Sequence, residues 1–281
     1  MIKISNYSLN YARQIAQGQM TILQFLDVCR QLNVEAASLH ARDLPETGTV
    51  YLRKLRTAYL DRGLSMSMVT VSTDFGSNPL RQEFDKSLEA IRVGMYLGAP
   101  ILRVFAGSPK SEAEREEAFK RAGEGIRKVV EEAADWGLPV GLQNHNHGAL
   151  CRTGAETIRM VKAVSHPNLS ILLDTGQFAG SKGASGDVPP SLAKENYLES
   201  IRMCAPMAKH VRTKFYNPAQ DGHEPWIDYN EVFRILESVH YQGIIDMVYE
   251  PGDRTTGSAG EDIKTAMPRI VRFLRSKVRP A

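Results

Sequence analysis

Four apolar runs in the second half of the chain each end in side chains able to move protons or hold cations. They read Leu142-Gln143-Asn144-His145-Asn146-His147, Leu173-Asp174-Thr175-Gly176-Gln177, His210-Val211-Arg212-Thr213-Lys214 and Val248-Tyr249-Glu250. Side chains alternate faces along a strand, so His210, Arg212 and Lys214 share one face, as do Gln143, His145 and His147 if their strand runs on. Carboxylate, imidazole, ammonium and amide groups gathered at strand ends suit proton transfer on a bound polar small molecule, with Glu250, Lys214 and His210 as the candidate acid–base groups. Gln143, His145, His147, Gln177, Arg212, Trp226 and His40 are candidate substrate contacts.

Plainer readings stand beside these. Asp174 and Glu250 would also serve as ordinary strand-end carboxylates, and His210 as a satisfied interior histidine. The Asn144–His147 run also reads as a polar loop, Lys214 as a salt-bridge partner, and Trp226 as packing beneath its loop. His166, His223 and His240 fall in loops or at a helix end and carry no argument alone.

The elements that must position these groups follow from periodicity. Short apolar or β-branched runs at 2–5, 36–40, 66–71, 101–105, 139–143, 169–174, 210–215 and 244–249 read as strands. Between them lie segments of helical period. One carries Ile22, Phe25, Leu26, Cys29 and Leu32, another Leu52, Leu55 and Leu60. A long one covers about 78–97, and others place Phe119 with Ile126 and Val130, Leu198 with Ile201 and Met203, and Val232 with Leu236. The charged outer face around Glu114 to Glu132 is a solvated helix surface.

Eight strand–helix units in 281 residues predict an α/β fold, a single (β/α)8 TIM barrel over residues 1–281. A doubly wound open sheet is the rival, but no glycine-rich dinucleotide fingerprint follows the first strand, so no nucleotide cofactor is expected. In a parallel barrel the strand ends form the mouth, where polar groups are costly to bury unless paired, ligated or used. The glycine-containing stretch from Gly176 to Pro190 belongs to that side, as a lid or as an ordered loop.

Composition excludes other classes. The chain holds 35 basic and 32 acidic residues for a net charge of +3, too balanced for a nucleic-acid footprint. No apolar run approaches a membrane span, and the first residues lack a basic-then-apolar signal region. Three cysteines, Cys29, Cys151 and Cys204, fit neither a disulfide scaffold nor a zinc ribbon. The expectation is a cytoplasmic protein with a small-molecule partner, no nucleic acid and no membrane; a homo-oligomer stays open.

With its four strand ends in this order, the chain resembles the xylose-isomerase-like barrel superfamily. That superfamily includes sugar epimerases and isomerases, inosose dehydratase-like lyases and the endonuclease IV branch. The resemblance covers essentially the whole chain, with Gly222 to Tyr229 and Tyr241-Gln242-Gly243 adding to it. In the sugar isomerases it implies a divalent metal (Mn, Mg or Zn) held by Glu, Asp, His and Glu of strands five to eight. By position these become Gln143, Asp174, Arg212 and Glu250. Two match and two depart, and the family's substrate-touching histidine is Gln177 here.

A guanidinium cannot ligate a metal, and like charges about 4 Å apart repel by about 4 kcal/mol at an effective dielectric of about 20. One expectation is therefore that Arg212 replaces the ion and bridges Asp174 and Glu250. The alternative keeps a metal on Asp174 and Glu250 by recruiting the Gln143 amide oxygen and the His145 imidazole. The activity the resemblance implies is that of a carbohydrate isomerase, epimerase or lyase taking a proton from beside a carbonyl of a sugar, polyol or sugar acid, with Glu250 as base, Lys214 or His210 as its partner and Arg212 holding the developing oxyanion charge. The alternatives are a non-catalytic carbohydrate-binding or regulatory barrel and a DNA-repair endonuclease. The charge balance and scattered histidines oppose the last.

Overall fold

The computed structural model describes residues 2–146, 150–182, 192, 194–251 and 260–278. Eight strands alternate with helices: β1 Lys3–Tyr7, β2 Ala36–His40, β3 Ser65–Thr70, β4 Leu102–Val104, β5 Val140–Gln143, β6 Leu169–Asp174, β7 Ala208–Phe215 and β8 Ile244–Tyr249. Each pairs in parallel with the next, and β1 pairs with β8, which closes a (β/α)8 TIM barrel. Strand positions match the sequence reading to within two residues. The helices are α1 Ala12–Ala16, α2 Ile22–Gln31, α3 Thr49–Asp61, α4 Leu80–Leu97, α5 Arg115–Asp135, α6 Gly154–Val164, α7 Tyr197–Cys204, α8 Tyr229–Ser238 and α9 Ile263–Val278. Among the described residues, no helix is long and apolar enough to cross a membrane.

The principal core lies between the strands and the surrounding helices. There Phe25, Leu26, Leu52, Ile126, Val130, Leu236 and Ile270 pack on outward-facing strand residues such as Leu39 and Val211. Two helix residues expected on this inner face are instead exposed: Leu60 at 70% and Met203 at 46%. At about 100° per residue, Leu60 turns away from Leu55, whereas Tyr59, one turn on from Leu55, is buried. Met203 lies two residues past the buried Ile201, on the opposite side of α7. Cys29 in α2, Cys151 before α6 and Cys204 in α7 are all free thiols in the interior.

Inside the barrel the chemistry is layered. Met68, Ile101 and Leu172 form a small apolar cluster of their own. Beside it the Asp246 carboxylate accepts from Ser38 Oγ at 2.5 Å and Ser67 Oγ at 3.4 Å, and Ser5 and Ser67 hydroxyls meet at 2.7 Å. Two register shifts build this layer. One, between β2 and β3, gives β3 an extra residue, so Ser67 reaches Asp246 while Met68 joins the apolar cluster. The other, between β6 and β7, gives β7 an extra residue, so that Ala208 pairs with Ile171 and His210 with Leu172.

The β5–α6 connection that borders the mouth is anchored by a capping box. Glu156 N donates to Thr153 Oγ1 at 3.2 Å, and Thr153 N donates to the Glu156 carboxylate at 3.2 Å. Glu156 also takes the Arg152 backbone N–H and the Arg115 guanidinium, each at 2.7 Å. Thr153→Ala should therefore cost about 1 kcal/mol or somewhat more. Urea unfolding of both proteins checks this, and an unchanged midpoint would contradict it.

Candidate active site at the barrel mouth

The inward faces of β5, β6 and β7 meet in a hydrogen-bonded relay. Gln143 Nε2 donates to Asp174 Oδ2 at 2.9 Å, and Arg212 Nη1 donates to Gln143 Oε1 at 2.7 Å. Arg212 Nη1 also lies 3.5 Å from the same Asp174 oxygen. Asn144 clamps the strand from the side, its amide exchanging hydrogen bonds with the Asp174 backbone N–H and C=O at 2.8 and 3.0 Å. Gly176 N donates to Asp174 Oδ1 at 3.1 Å. Burial pushes the Asp174 carboxyl up from its ordinary range, with the Arg212 and Lys214 charges opposing.

One step further out, Lys214 Nζ contacts Glu250 Oε1 at 2.5 Å. The lysine is nearly fully buried while Glu250 keeps about a quarter of its side chain in contact with solvent. Gly176 makes room for this pair. A Cβ there would sit 2.6 Å from Lys214 Cβ and Cγ, so only glycine lets the β6 loop pass so close. The expected guanidinium bridge from Asp174 to Glu250 is thus corrected. Arg212 spans Gln143 and Asp174, and Glu250 takes Lys214, because the strand alternation that sets Lys214 above Arg212 delivers the ammonium first.

A cavity of about 190 Å³ opens over these groups. Gln143, Gln177, Arg212, Lys214 and Glu250 line it, and His40 and His145 do so from the β2 and β5 sides. The His145 ring stands edge-on to Phe105, with centroids 5.0 Å apart. A second cavity of about 160 Å³ adjoins along Phe105, Gln143 and His145. A larger, mainly apolar groove of about 860 Å³ runs along α1, α2 and residues 42–45.

The remaining sequence candidates lie elsewhere. His210 is not on the cavity wall. It sits two residues below Arg212, about 6–7 Å deeper, with Nε2 3.5 Å from Asp246 Oδ2. A catalytic contact for His210 does not fit that depth, because the Gln143–Asp174–Arg212 relay lies between it and the mouth. Trp226 packs on Tyr216 with centroids 5.6 Å apart and receives Lys182 Nζ over its ring at 5.3 Å, outside the cavity lining. His147 lies outside the described residues, and the Gly176–Pro190 stretch is described only through Lys182.

The structure also brings in residues that the strand-end reading passed over. Arg103 of β4 is buried, donates from Nη1 to Val71 O at 3.2 Å and from Nη2 to Tyr7 Oη at 3.1 Å, and lies over the Phe105 ring at 4.1 Å. Tyr7 Oη in turn meets Thr70 Oγ1 at 2.6 Å. The available signal was an arginine in the centre of Ile101-Leu102-Arg103-Val104-Phe105, since a charge inside a buried strand needs a reason.

The donor set does not suit a metal of the kind the resemblance implies. Gln143 Oε1, the oxygen an ion would need, accepts from Arg212, and Asp174 Oδ2 is claimed by the Gln143 amide and Arg212. The guanidinium brings positive charge to the centre and offers no lone pair. Among the described residues, no group of three His, Cys, Asp or Glu side chains is placed to hold an ion. His145 is turned to Phe105, on the β4 side of the mouth.

A family model described as "Xylose isomerase-like TIM barrel" matches residues 26–277. A Danio rerio protein named provisionally as a hydroxypyruvate isomerase is 24% identical over 245 residues, covering 79% of this chain and 80% of its own. An inosose dehydratase of Erwinia tasmaniensis is 25% identical over 205 residues, covering 65% and 68%. Among solved structures, a D-psicose 3-epimerase in the presence of D-fructose superposes with a TM-score of 0.76 at 16% identity, covering 100% of both chains. The last likeness concerns the fold.

His40 registers the electrostatics of the mouth. Its Nδ1 accepts from Arg42 N at 3.2 Å, so the ring proton is on Nε2, which donates to Ser72 Oγ at 2.9 Å. Burial first, then the Arg103, Arg42 and Arg212 charges, pull its pKa down to about 2. An unfolded histidine takes up a proton below about pH 6.5 that the folded ring refuses, so the fold is increasingly disfavoured as pH falls below that value. Between about pH 6.5 and pH 5 this amounts to about 2 kcal/mol. His40→Gln, which retains an acceptor and a donor, should lose that much less stability than the unmodified protein over this interval. Urea unfolding at pH 7 and pH 5 checks this, and parallel losses in both proteins would count against it.

Proposed function

Because the chain belongs to the xylose isomerase-like TIM barrel family, we propose that it is a carbohydrate isomerase, epimerase or lyase that removes a proton from the carbon beside a carbonyl. The observation that carries this reading is the Lys214–Glu250 pair at 2.5 Å on the cavity wall, next to an Arg212 guanidinium whose buried Nε–H has no partner among the described residues. Relatives named for isomerase and dehydratase activities support the reaction class. Isomerisation, epimerisation and β-elimination share this first step.

In the proposed step the C–H bond breaks and its proton moves to a Glu250 carboxylate oxygen. The electron pair enters the adjacent carbon–carbon bond and leaves negative charge on the former carbonyl oxygen. Arg212 donates to that oxygen, and the Gln143–Asp174 relay holds the guanidinium in place without drawing on bulk water. Lys214, the neighbour of the base, holds its carboxylate before the transfer and can return a proton afterwards. Gln143 cannot act as a second base, because an amide does not accept a proton near neutral pH. A one-base reaction therefore fits better than a symmetric two-base epimerisation. The second reading, a carbohydrate-binding barrel without turnover, is favoured by the same Gln143 and Arg212 departures; it predicts a retained but unconverted ligand.

Exchange of the substrate α-proton with D₂O, followed by NMR over a panel of ketoses, inososes and keto acids, tests the proposal. Glu250→Gln keeps an oxygen that can accept from Lys214 and should lower exchange by about 10²- to 10⁴-fold, with a thermal melt checking that the variant is folded. Undiminished exchange in Glu250→Gln would remove Glu250 as the base, and a panel bound without any exchange would favour the binding reading.

A further inference from the structure

Arg103 sits on the opposite side of the mouth from the Lys214–Glu250 pair's strands and is not used by the proton-transfer step. It is 2% exposed and lines the cavity. Four cationic side chains, Arg42, Arg103, Arg212 and Lys214, face this small space, against Glu250 on the wall and Asp174 behind Arg212. The two carboxylates are already taken: Asp174 by Gln143 and Arg212, Glu250 by Lys214. Arg103 has no carboxylate partner among the described residues. Its contacts are a carbonyl, a phenol and a ring face. Two of its five N–H donors are used, and Nε is buried with no partner among the described residues.

A buried guanidinium without a counter-charge costs stability, so its retention calls for a physical account. Desolvation, then the nearby Arg212 charge, draw the Arg103 pKa down to about 10, opposed by Tyr7, as expected of a cation short of an anion. The neighbouring His40 ring is held neutral by burial first and by the same cationic charges second. Phe105 covers one face of the guanidinium and Val71 and Tyr7 fix its orientation, so its unused N–H groups are held in place.

We propose that Arg103 is a binding residue for a carboxylate group of the substrate, which makes that substrate a small sugar acid or hydroxy- or keto-acid rather than a neutral sugar. This rests on the carbohydrate reading above and narrows its substrate class. A planar carboxylate matches the in-plane donors of a guanidinium edge. The cavity of about 190 Å³ and the adjoining one of about 160 Å³ together stand at the low end of the roughly 300–1,000 Å³ typical of ligand sites, which suits a small ligand. Bound this way, the acid end faces β4 and the carbon chain points across to Glu250 and Lys214.

Calorimetric titration of the full chain with glycerate, pyruvate, gluconate and glucuronate, against glycerol, glucitol, glucose and glucose 6-phosphate, tests this. At least one acid should bind ten-fold or more tightly than its neutral counterpart, and Arg103→Gln should abolish that preference. The ligand-free Arg103→Gln protein should melt no lower than the unmodified one, which a purely structural arginine would not allow. If that variant fails to fold, Arg103→Lys keeps the charge without the planar fork and should still lose about ten-fold in acid affinity. Neutral members binding as well as acids, preference surviving in Arg103→Gln, glucose 6-phosphate displacing the acids, or no member binding would each overturn the proposal. Acid binding through Arg103 without α-proton exchange upholds this site and fails the catalytic reading; exchange on neutral ketoses without acid preference does the reverse.

Discussion

A single amide holds the centre of this barrel together. Gln143 gives an N–H to Asp174 and takes one from Arg212, so a buried carboxylate and a buried guanidinium are both satisfied through one neutral group. Neither a glutamate, which would only accept, nor a hydrocarbon could fill that position. The two departures from the family's ligand pattern are therefore one change. Once an arginine stands on β7, its partner on β5 must accept from it while still donating to Asp174. The relay gives the Arg212 charge a fixed place and a fixed direction.

The fold supplies that direction through strand alternation and two register shifts. β7 stacks His210, Arg212 and Lys214 in successive layers, giving floor, relay and mouth in one strand. Asp246 and its serine hydroxyls seat the floor, so the charged groups above rest on polar contacts and not on an apolar plug alone. Charge in the interior is thus graded. A hydrogen-bonded acid lies at the bottom, a compensated pair in the middle, and an excess of cations at the opening.

Much of this was legible in the sequence, because parallel strands buried on both faces leave continuous apolar runs, and the polar residues that end them stand out. The convergence of Gln143, Asp174, Arg212, Lys214 and Glu250 followed from that contrast. What escaped had no such contrast. Arg103 lies inside a run, where the pattern reads only strand, and it stands out once its neighbours among the described residues prove to contain no carboxylate partner. His210 has the right parity but the wrong depth, and alternation gives a face without giving a height. Which cation reaches Glu250 depends on side-chain reach, and Leu60 and Met203 were misplaced because a few apolar residues fit a helix stripe at several offsets.

The three interior thiols have a practical corollary. Cys29, Cys151 and Cys204 belong to different sectors of the wall, under α2, beneath the β5–α6 connection and on the inner side of α7. Burial raises all three thiols above their ordinary range, so reactive thiolate is scarce while the wall is shut. A labelling reagent therefore reaches each sulfur only when its own sector breathes. The order in which the three are modified is a built-in clock for local unfolding around the ring, readable by mass spectrometry without introducing any foreign probe.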